Sequence, residues 1–375
     1  MKMDNQPITI AHIVGKWVGG GVESVIMTYY RNIDHNKIQF HFICDDDSTD
    51  IPYKEIEKLG GKVILIPPYQ KPFKYHKKLK KILEEGNYKI VHSHINTMSV
   101  FPLFAAKCAG VPIRIVHNHS TTNKKELIKN MLKQILKPFS KVFSTHYFAC
   151  TEHAGRWLFG DKTFDKGNVY VLNNAIDLDK FKYNENLRAK KRKELDISDD
   201  TIVIGHVGRF MKQKNHSFLI ELFSEIHKKK NDSVLLLVGQ GPLMGEIKDK
   251  VNALGLTDNV KFLGQRNDVN ELYQAFDVFC LPSLYEGLGI VLIEAQCAGS
   301  LCFCSSEVPD VAKVTDNLQF IDLNLPATIW SKKILENINI NKRKDHVKDC
   351  QKAGYDINIE VKKLEEKYIE LLEGK

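Results

Sequence analysis

The sequence predicts an α/β protein made of two doubly wound, Rossmann-like domains, each a parallel sheet flanked by helices, and three observations carry that prediction. Its 375 residues exceed what one ordinary hydrophobic core organises. Short apolar, β-branched runs alternate with helix-like stretches over most of the chain, the rhythm of consecutive βα units. That rhythm breaks once, at the basic stretch Arg188 to Lys193, expected to be an exposed helix or linker. The expected division is therefore 1–182, 183–350 and a tail, 351–375.

In the first domain strands are expected at Ile8–Val14, Gln39–Cys44, Val63–Ile66, Ile90–Ser93, Ile113–Val116, Tyr147–Cys150 and Val169–Leu172, with Pro67, Pro68, Pro102 and Pro112 in the connections. In the second they are expected at Ile202–Val207, Val234–Val238, Val260–Leu263, Val278–Leu281 and Leu301–Cys304. Apolar residues at 357, 361, 364, 368, 371 and 372 make the tail an amphipathic helix.

Composition narrows the function classes. A hydrophobic content of 43% fits a globular protein. The start MKMDNQPITI has no apolar leader core, and no run approaches a membrane span, so a cytoplasmic protein is expected. Eight cysteines lie mostly inside apolar runs without a CxxC pair, which points to buried thiols rather than disulfides or zinc. The net charge of +8 is uneven: 27 basic and 17 acidic residues up to Asn184 give +10, against 27 and 29 beyond it, or −2. A basic first half predicts an anionic ligand or surface there.

The stretch LPSLYEGLGIVLIEAQCAG, Leu281 to Gly299, carries most of the chemistry. An apolar strand ends at Pro282, a turn holds Gly287 and Gly289, and the apolar pattern resumes at Ile290. Glu286 then lies in a loop and Glu294 on a helix, roughly 8 to 10 Å apart at 1.5 Å rise per helical residue. The free N–H groups and positive dipole end of that helix make an anion site of Gly287, Leu288, Gly289 and Ile290. After the strand Ile202–Val207 comes GRFMKQK, which places Arg209 and Lys214 at another strand's carboxyl end, where two cations can hold a diphosphate leaving group.

Glu-x7-Glu in the setting SLYEGLGIVLIEA resembles the signature of the retaining family-4 glycosyltransferases of the GT-B fold, two Rossmann-like domains facing a cleft. Within that family the chain resembles bacterial exopolysaccharide and capsule enzymes of the EpsF type. The resemblance implies that Glu294 holds the ribose hydroxyls of a nucleotide-sugar donor and Glu286 contacts the sugar. It also implies that Arg209 and Lys214 grip the diphosphate, and that the last helix crosses back to the first domain. Gly20 and Gly21, in VGKWVGGGVESV, would lie over the donor diphosphate, with Glu23 opening the following helix. His117, in HNHS, would contact the transferred sugar, while His119 is expected at the surface and His92 and His94 toward the acceptor. Gly239, in GQGPL, and Arg266, in FLGQRNDV, would border the donor. Ala175 replaces a usual glycine in the turn after the strand at 169–172, and Leu301 with Ser305 and Ser306 depart from the usual pattern, which predicts an altered sugar pocket.

No cofactor or metal is expected: the donor is a substrate, expected to be UDP-linked, and Asp45 with Asp47 is expected to be a solvated acidic loop rather than a metal-binding Asp-x-Asp. Lysines at 125, 129, 133, 137 and 141, with Leu127, Met131, Ile135 and Phe139 on a second row, form a basic amphipathic stretch; Lys71, Lys74, Lys77, Lys78, Lys80 and Lys81 form another cluster. Both fit an anionic membrane surface carrying a lipid-linked glycan acceptor. No aromatic-interleaved nucleic-acid motif accompanies them, so nucleic acid is not expected. A nucleotide-sugar epimerase of the same architecture and a non-catalytic subunit that binds nucleotide sugar stay open as rival functions.

Overall fold

The computed structural model describes residues 6–119, 134–338 and 343–374. The lysines at 125, 129 and 133, with Leu127 and Met131, lie outside the described residues.

The chain forms two compact units, residues 1–176 with 357–375, and residues 177–356. The first holds seven strands: β1 (Ile8–Gly15), β2 (Ile38–Asp45), β3 (Lys62–Ile66), β4 (Ile90–Ser93), β5 (Ile113–Asn118), β6 (His146–Ala149) and β7 (Val169–Val171). Their order is β3-β2-β1-β4-β5-β6-β7, parallel throughout. The second holds β8 (Ile202–Val207), β9 (Ser233–Val238), β10 (Val260–Gly264), β11 (Val278–Leu281), β12 (Leu301–Ser305) and β13 (Leu318–Ile321), ordered β10-β9-β8-β11-β12-β13 and again parallel. Both sheets reverse winding direction beside their first strand, and such reversal points bind ligands at the strands' carboxyl ends.

Each sheet is buried on both faces, as parallel sheets require. One face of the first packs Ile10, Phe40, Phe42, Ile115 and Phe148 against the helices Gly21–Asn32 and Ile357–Glu373, the latter through Ile357, Val361, Leu364 and Tyr368. The opposite face buries Ile13, Val91 and Val116 under the helices Pro72–Glu85, Val100–Cys108 and Glu152–Phe159. In the second unit Ile204, Leu235 and Phe303 meet Phe223 and Trp330 on one side, while Val203, Phe279 and Cys302 meet Tyr273 and Leu292 on the other.

Three expectations need correction. The boundary falls at 176/177, not near 182, because the short helix Leu178–Phe181 packs on helices of the second unit. The chain returns to the first unit at Ile357, not 351, after the helix Val347–Lys352 has closed the second. The basic stretch Arg188–Lys193 is no exposed linker. It lies in the helix Glu185–Glu194, with Arg188, Lys191 and Arg192 buried.

A buried acid explains that burial. Asp277 precedes β11 and accepts from Arg188 Nη2 at 2.6 Å, from Arg192 Nη1 at 3.3 Å and from the Val203 backbone N–H at 2.8 Å. Spacing of i, i+4 puts both arginines on one helical face. Lys191, on the neighbouring face, meets Glu194, Asp268 and Glu271 within 2.9 Å.

Ala175 needs no left-handed backbone: it is buried, and among the described residues positive φ outside glycine occurs at Asn87, Asn96, Asp196 and Asn215. Seven of the eight reduced cysteines are buried and Cys108 is exposed. No helix among the described residues is long and apolar enough to cross a membrane.

Candidate active site

The second unit gathers Arg209, Lys214, Gly239, Glu286, the turn Gly287–Ile290 and Glu294 at or beyond the carboxyl ends of β8, β9 and β11. Past β11 the chain cannot continue as strand, because Pro282 lacks the N–H for the ladder. It turns through Ser283 and restarts as the helix Ile290–Cys297, whose N-cap, Gly289, sits at φ 79° and ψ 52°. Glycine adopts that left-handed geometry without steric penalty. No side chain caps this helix, and the Leu292 N–H turns back to the Gly289 carbonyl at 2.8 Å, so the Ile290 and Val291 N–H groups are the ones open to an anion.

Glu286 is held by three side chains. Lys214 Nζ donates to Oε1 at 2.6 Å, Ser283 Oγ donates to the same oxygen at 2.6 Å, and Gln213 Nε2 donates to Oε2 at 3.3 Å and to the Tyr285 carbonyl at 3.1 Å. A Leu284 N–H to Gln213 carbonyl bond of 2.8 Å ties the two loops together. Only 16% of the Lys214 side chain and 7% of the Glu286 side chain are exposed, so the pair is screened little by water. An ammonium has three donors; one is used on Glu286, which leaves Lys214 able to reach phosphate oxygens. Arg209 is exposed and has no side-chain partner among the described residues.

Glu294 is bound from below by the Tyr273 hydroxyl, which donates to Oε2 at 2.7 Å. Burial raises its carboxyl from 4.5 to about 7, opposed by that hydrogen bond and by the charge of Lys214. The folded chain therefore holds this proton more tightly than the unfolded chain. Between the ordinary carboxylate range and pH 7 the folded state binds one proton more, so this contribution to stability is lost as pH rises through about 7. If Glu294 accepts hydrogen bonds from a sugar ring, the donor KM should rise as pH drops below about 7, and Glu294→Gln should flatten that dependence; initial-rate kinetics between pH 5.5 and 8.5 measure both.

Sequence reasoning missed Gln213, Ser283 and Tyr273, although Ser283 stands one helical-turn spacing before Glu286. Ser305, noted as a departure, is buried and donates to the Ser283 carbonyl at 2.5 Å, so it supports the loop that aims Glu286. Gly239 has a packing reason too: with φ at 131°, a β-carbon there would lie 2.2 Å from the Gly208 carbonyl oxygen. It lets the loop after β9 sit directly against the loop that carries Arg209. Arg266 is committed elsewhere. Its Nε and Nη2 grip Asp268 with two bonds of 2.7 Å, and Nη2 reaches Glu194 at 3.3 Å, so most of its N–H donors are already engaged within the protein.

Gly20, Gly21 and His117 belong to the first unit. Gly20 is the N-cap of the helix Gly21–Asn32, and the positive φ of the triplet falls at Gly19 instead. Glu23 accepts from the Val18 N–H at 3.1 Å and so fastens the glycine loop to its helix. Beside it, at the carboxyl ends of β1, β2 and β4, lies a cavity of about 590 Å³ whose lining includes Lys16, Glu23, Asp45, Tyr69, His94 and Asn96. The expectation of a solvated Asp45 fails. The side chain is buried, and burial with Asp47 and Asp46 nearby raises its carboxyl to about 6. Asp47 is exposed and pairs with Lys16 at 2.6 Å.

His119 is not at the surface either. It belongs with His12, His92, His94 and His117 to a buried group of five imidazoles. Register pairs His12 with His92 and Ser93 with Val116; with a side-chain period of two, 92 and 94 on one strand and 117 and 119 on the next all share one face. Nitrogens of His12, His92 and His94, and of His94, His117 and His119, lie within 4.8 Å of one another, close enough to ligate a metal ion. Most of these nitrogens are hydrogen-bonded to each other or to Tyr368, and burial holds all five pKa values far below 6.5.

Two parallel Rossmann-like units, the second with a Lys–Glu pair beside an uncapped helix start, define the GT-B class of sugar transferases. Family resemblances agree: residues 188–352 match the glycosyl transferases group 1 and residues 19–180 match glycosyltransferase family 4. The chain is 32% identical over 365 residues to the glycosyltransferase EpsF of Bacillus subtilis, covering 94% of each. It is 27% identical to the UDP-Gal:α-D-GlcNAc-diphosphoundecaprenol α-1,3-galactosyltransferase of Escherichia coli, covering 93% of this chain and 98% of that one. Among solved structures, the Anabaena protein Alr3699/HepE in complex with UDP-glucose superposes with a TM-score of 0.75 at 18% identity, over 95% of this chain and 98% of that one. The chain belongs to the family-4 glycosyltransferases of the GT-B fold.

Proposed function

We propose that this glycosyltransferase moves a sugar, with retention, from a UDP-sugar to a lipid-linked glycan during exopolysaccharide or capsule synthesis, without a metal ion. The observation that carries the reading is the Lys214–Glu286 pair, held by Ser283 and Gln213 next to the uncapped helix start at Gly289. Transfer from a nucleotide sugar develops negative charge on the departing diphosphate, and fixed donors lower that barrier because they need no reorganisation as the charge forms. Lys214, Arg209 and the first-turn amides supply the positive potential that a metal ion supplies in other transferases. Glu286 orients Lys214 and accepts from a sugar hydroxyl, while Glu294 accepts from the ribose. With attack on the face that the leaving group departs from, the phosphate oxygen takes the acceptor's proton, and no separate side-chain base is required.

The relatives support the choice of donor and acceptor: the name of the E. coli transferase specifies a UDP-sugar and a diphosphoundecaprenol-linked acceptor, and the Anabaena neighbour binds UDP-glucose. A lipid-linked acceptor requires approach to a membrane on the cytoplasmic side. The first unit exposes Phe73, Phe104, Phe139 and Val142 together with Lys71, Lys74, Lys77 and Lys78, the pairing of apolar and basic groups that binds anionic lipid. Co-sedimentation with phosphatidylglycerol vesicles but not with phosphatidylcholine vesicles, weakened by Phe73→Asp, is the expected result.

The deciding experiment follows nucleotide release from UDP-, GDP- and ADP-sugars with membrane extract as acceptor and EDTA present. Release from a UDP-sugar that needs the extract and survives EDTA supports the proposal. Sugar isomerisation without an acceptor identifies an epimerase, and tight nucleotide binding without turnover identifies a binding subunit.

A further inference from the structure

The cavity at the carboxyl ends of β1, β2 and β4 is lined by residues of the first unit, and its charge runs against the half of the chain that holds it. Residues up to Asn184 carry 27 basic against 17 acidic groups. Yet the charged groups on the cavity wall, among the described residues, are one cation, Lys16, and three acids, Glu23, Asp45 and Asp47. His94 also lines it and adds no charge, because burial holds its imidazole well below 6.5. A volume of about 590 Å³ falls within the range of roughly 300–1,000 Å³ typical of small-molecule sites.

Two of the three acids are already engaged. Asp47 pairs with Lys16 at 2.6 Å, and Glu23 accepts the Val18 N–H at 3.1 Å. Asp45, the last residue of β2, is different: it is 4% exposed, and its carboxylate has no hydrogen-bond partner among the described residues. Its carboxyl, raised to about 6, is ionised at pH 8, and an ionised carboxylate accepts hydrogen bonds but donates none. A metal ion is not the missing partner, because the groups of three ligands close enough to share one, among the described residues, consist of histidines and exclude Asp45. A phosphate or carboxylate would meet like charge in a site partly shielded from water. The wall therefore suits an uncharged molecule rich in O–H donors. Tyr69 adds a second requirement. Its ring lines the cavity and is fixed by stacking on Phe101, with centroids 5.7 Å apart and planes inclined by 9°. A sugar ring meets both, with hydroxyls at its edge for a carboxylate and C–H groups on its face for an aromatic ring.

We propose that this cavity binds the terminal sugar ring of the glycan acceptor, that Asp45 accepts its hydroxyls, and that the acidic wall selects uncharged sugars over acidic ones. The inference rests on the proposed glycan acceptor and deepens it: the sugar end of the acceptor enters the first unit here, and its diphosphate end is repelled from the same wall. A buried carboxylate left without a donor is costly, so a ring that brings the hydroxyl is favoured strongly over one that lacks it.

Saturation-transfer NMR of the full chain at pH 8, in EDTA and without any sugar donor, tests this with two matched pairs of probes. These are methyl α-glucoside against methyl α-glucuronide, and methyl α-galactoside against methyl α-galacturonide. Members of a pair differ only in whether the ring carries a hydroxymethyl group or a carboxylate. In at least one pair the neutral glycoside is expected to bind about tenfold more tightly than its acidic counterpart, the worth of one charged contact. Asp45→Asn keeps the shape and removes the charge. It should weaken the neutral glycoside about tenfold and narrow the gap to the acidic one. It should not lower the urea midpoint, because it relieves a buried carboxylate that has no partner. Tyr69→Ala should weaken both members of a pair alike. Equal affinity within both pairs, no saturable binding to the wild-type chain, or neutral binding that Asp45→Asn leaves unchanged overturns the proposal. So does a lower urea midpoint for Asp45→Asn, which makes the carboxylate a structural group. Binding that depends on Asp45, in a chain that transfers no sugar to membrane extract, leaves the cavity standing and overturns the acceptor reading instead.

Discussion

Glu286→Gln is expected to lower sugar transfer by about 10²–10³-fold, the range found when one preorganised electrostatic contact is removed from a reacting centre, with little change in far-UV circular dichroism. The substitution preserves shape and the Ser283 contact but removes the charge that fixes Lys214, whose ammonium lies 2.6 Å from Oε1 in a site largely closed to water. Lys214 then has a wider choice of rotamers, and, in the arrangement proposed above, the sugar loses a charged acceptor. Because both losses act at the reacting end of the donor, kcat should fall more than donor KM rises. Steady-state nucleotide release with and without acceptor separates the two. An unchanged kcat would remove Glu286 from the chemistry and leave it as a brace for its loop.

The largest stability effect is expected at Asp277. Asp277→Ala leaves Arg188 and Arg192 buried without their counterion and takes the acceptor from the Val203 N–H. Breaking a buried ion pair from one side costs about 3–5 kcal/mol. A third cation sharpens the problem: Arg343, whose guanidinium bonds the Gln274 carbonyl at 3.0 Å, is pulled down to about 10 by burial and by the neighbouring Arg188. Urea unfolding should show a lower midpoint, and hydrogen exchange should place the lost protection within residues 177–356. Substituting Arg188 and Arg192 together with Asp277 by apolar residues should recover part of the loss, since a buried network replaced whole is far less costly than one broken.

Twelve of the thirteen strands were legible because parallel strands are apolar on both faces and are separated by turns rich in glycine and proline. β13 escaped: LQFI is interrupted by Gln319 and bracketed by Asn317 and Asp322, so no continuous apolar run marks it. The basic stretch at 188–193 misled because charge in sequence usually means solvent. Its meaning depended on Asp277, 85 residues beyond Arg192, the one acid in the run AFDVFCL. An acid leading into a buried strand requires a counterion, and the i, i+4 arginines were the available one.

The candidate site divides in the same way. Glu286, Glu294 and Gly289 were visible from the motif and the helix it starts, and Lys214 from the cations that follow β8. Gln213 and Tyr273 were not, because they act on acids more than twenty residues away, which leaves no spacing rule in the sequence; Ser283, three residues before Glu286, was the one within reach of such a rule. The histidines had left one. HSH and HNH repeat with the period of a strand, and two adjacent strands carrying that pattern must stack their imidazoles on one face. Their burial, which makes them neutral and mutually bonded, followed from the last helix covering that face.

That last helix also sets the order in which the polypeptide can finish folding. The second unit is an insertion between two parts of the first, which ends at Ile176 and resumes at Ile357. At about 5–20 residues per second on the ribosome, the strands β1–β7 wait roughly 10–40 s for the segment that completes their core. Until then Phe40, Phe42 and Phe148 lack Ile357, Val361, Leu364 and Tyr368, their partners in one apolar cluster. The nascent first unit therefore keeps part of its apolar core uncovered during that interval, while the inserted unit can mature in a single uninterrupted passage. A premature stop after residue 356 would spare the inserted unit and strand the other, so truncation of the last helix is a graver intervention in this chain than the helix's length suggests.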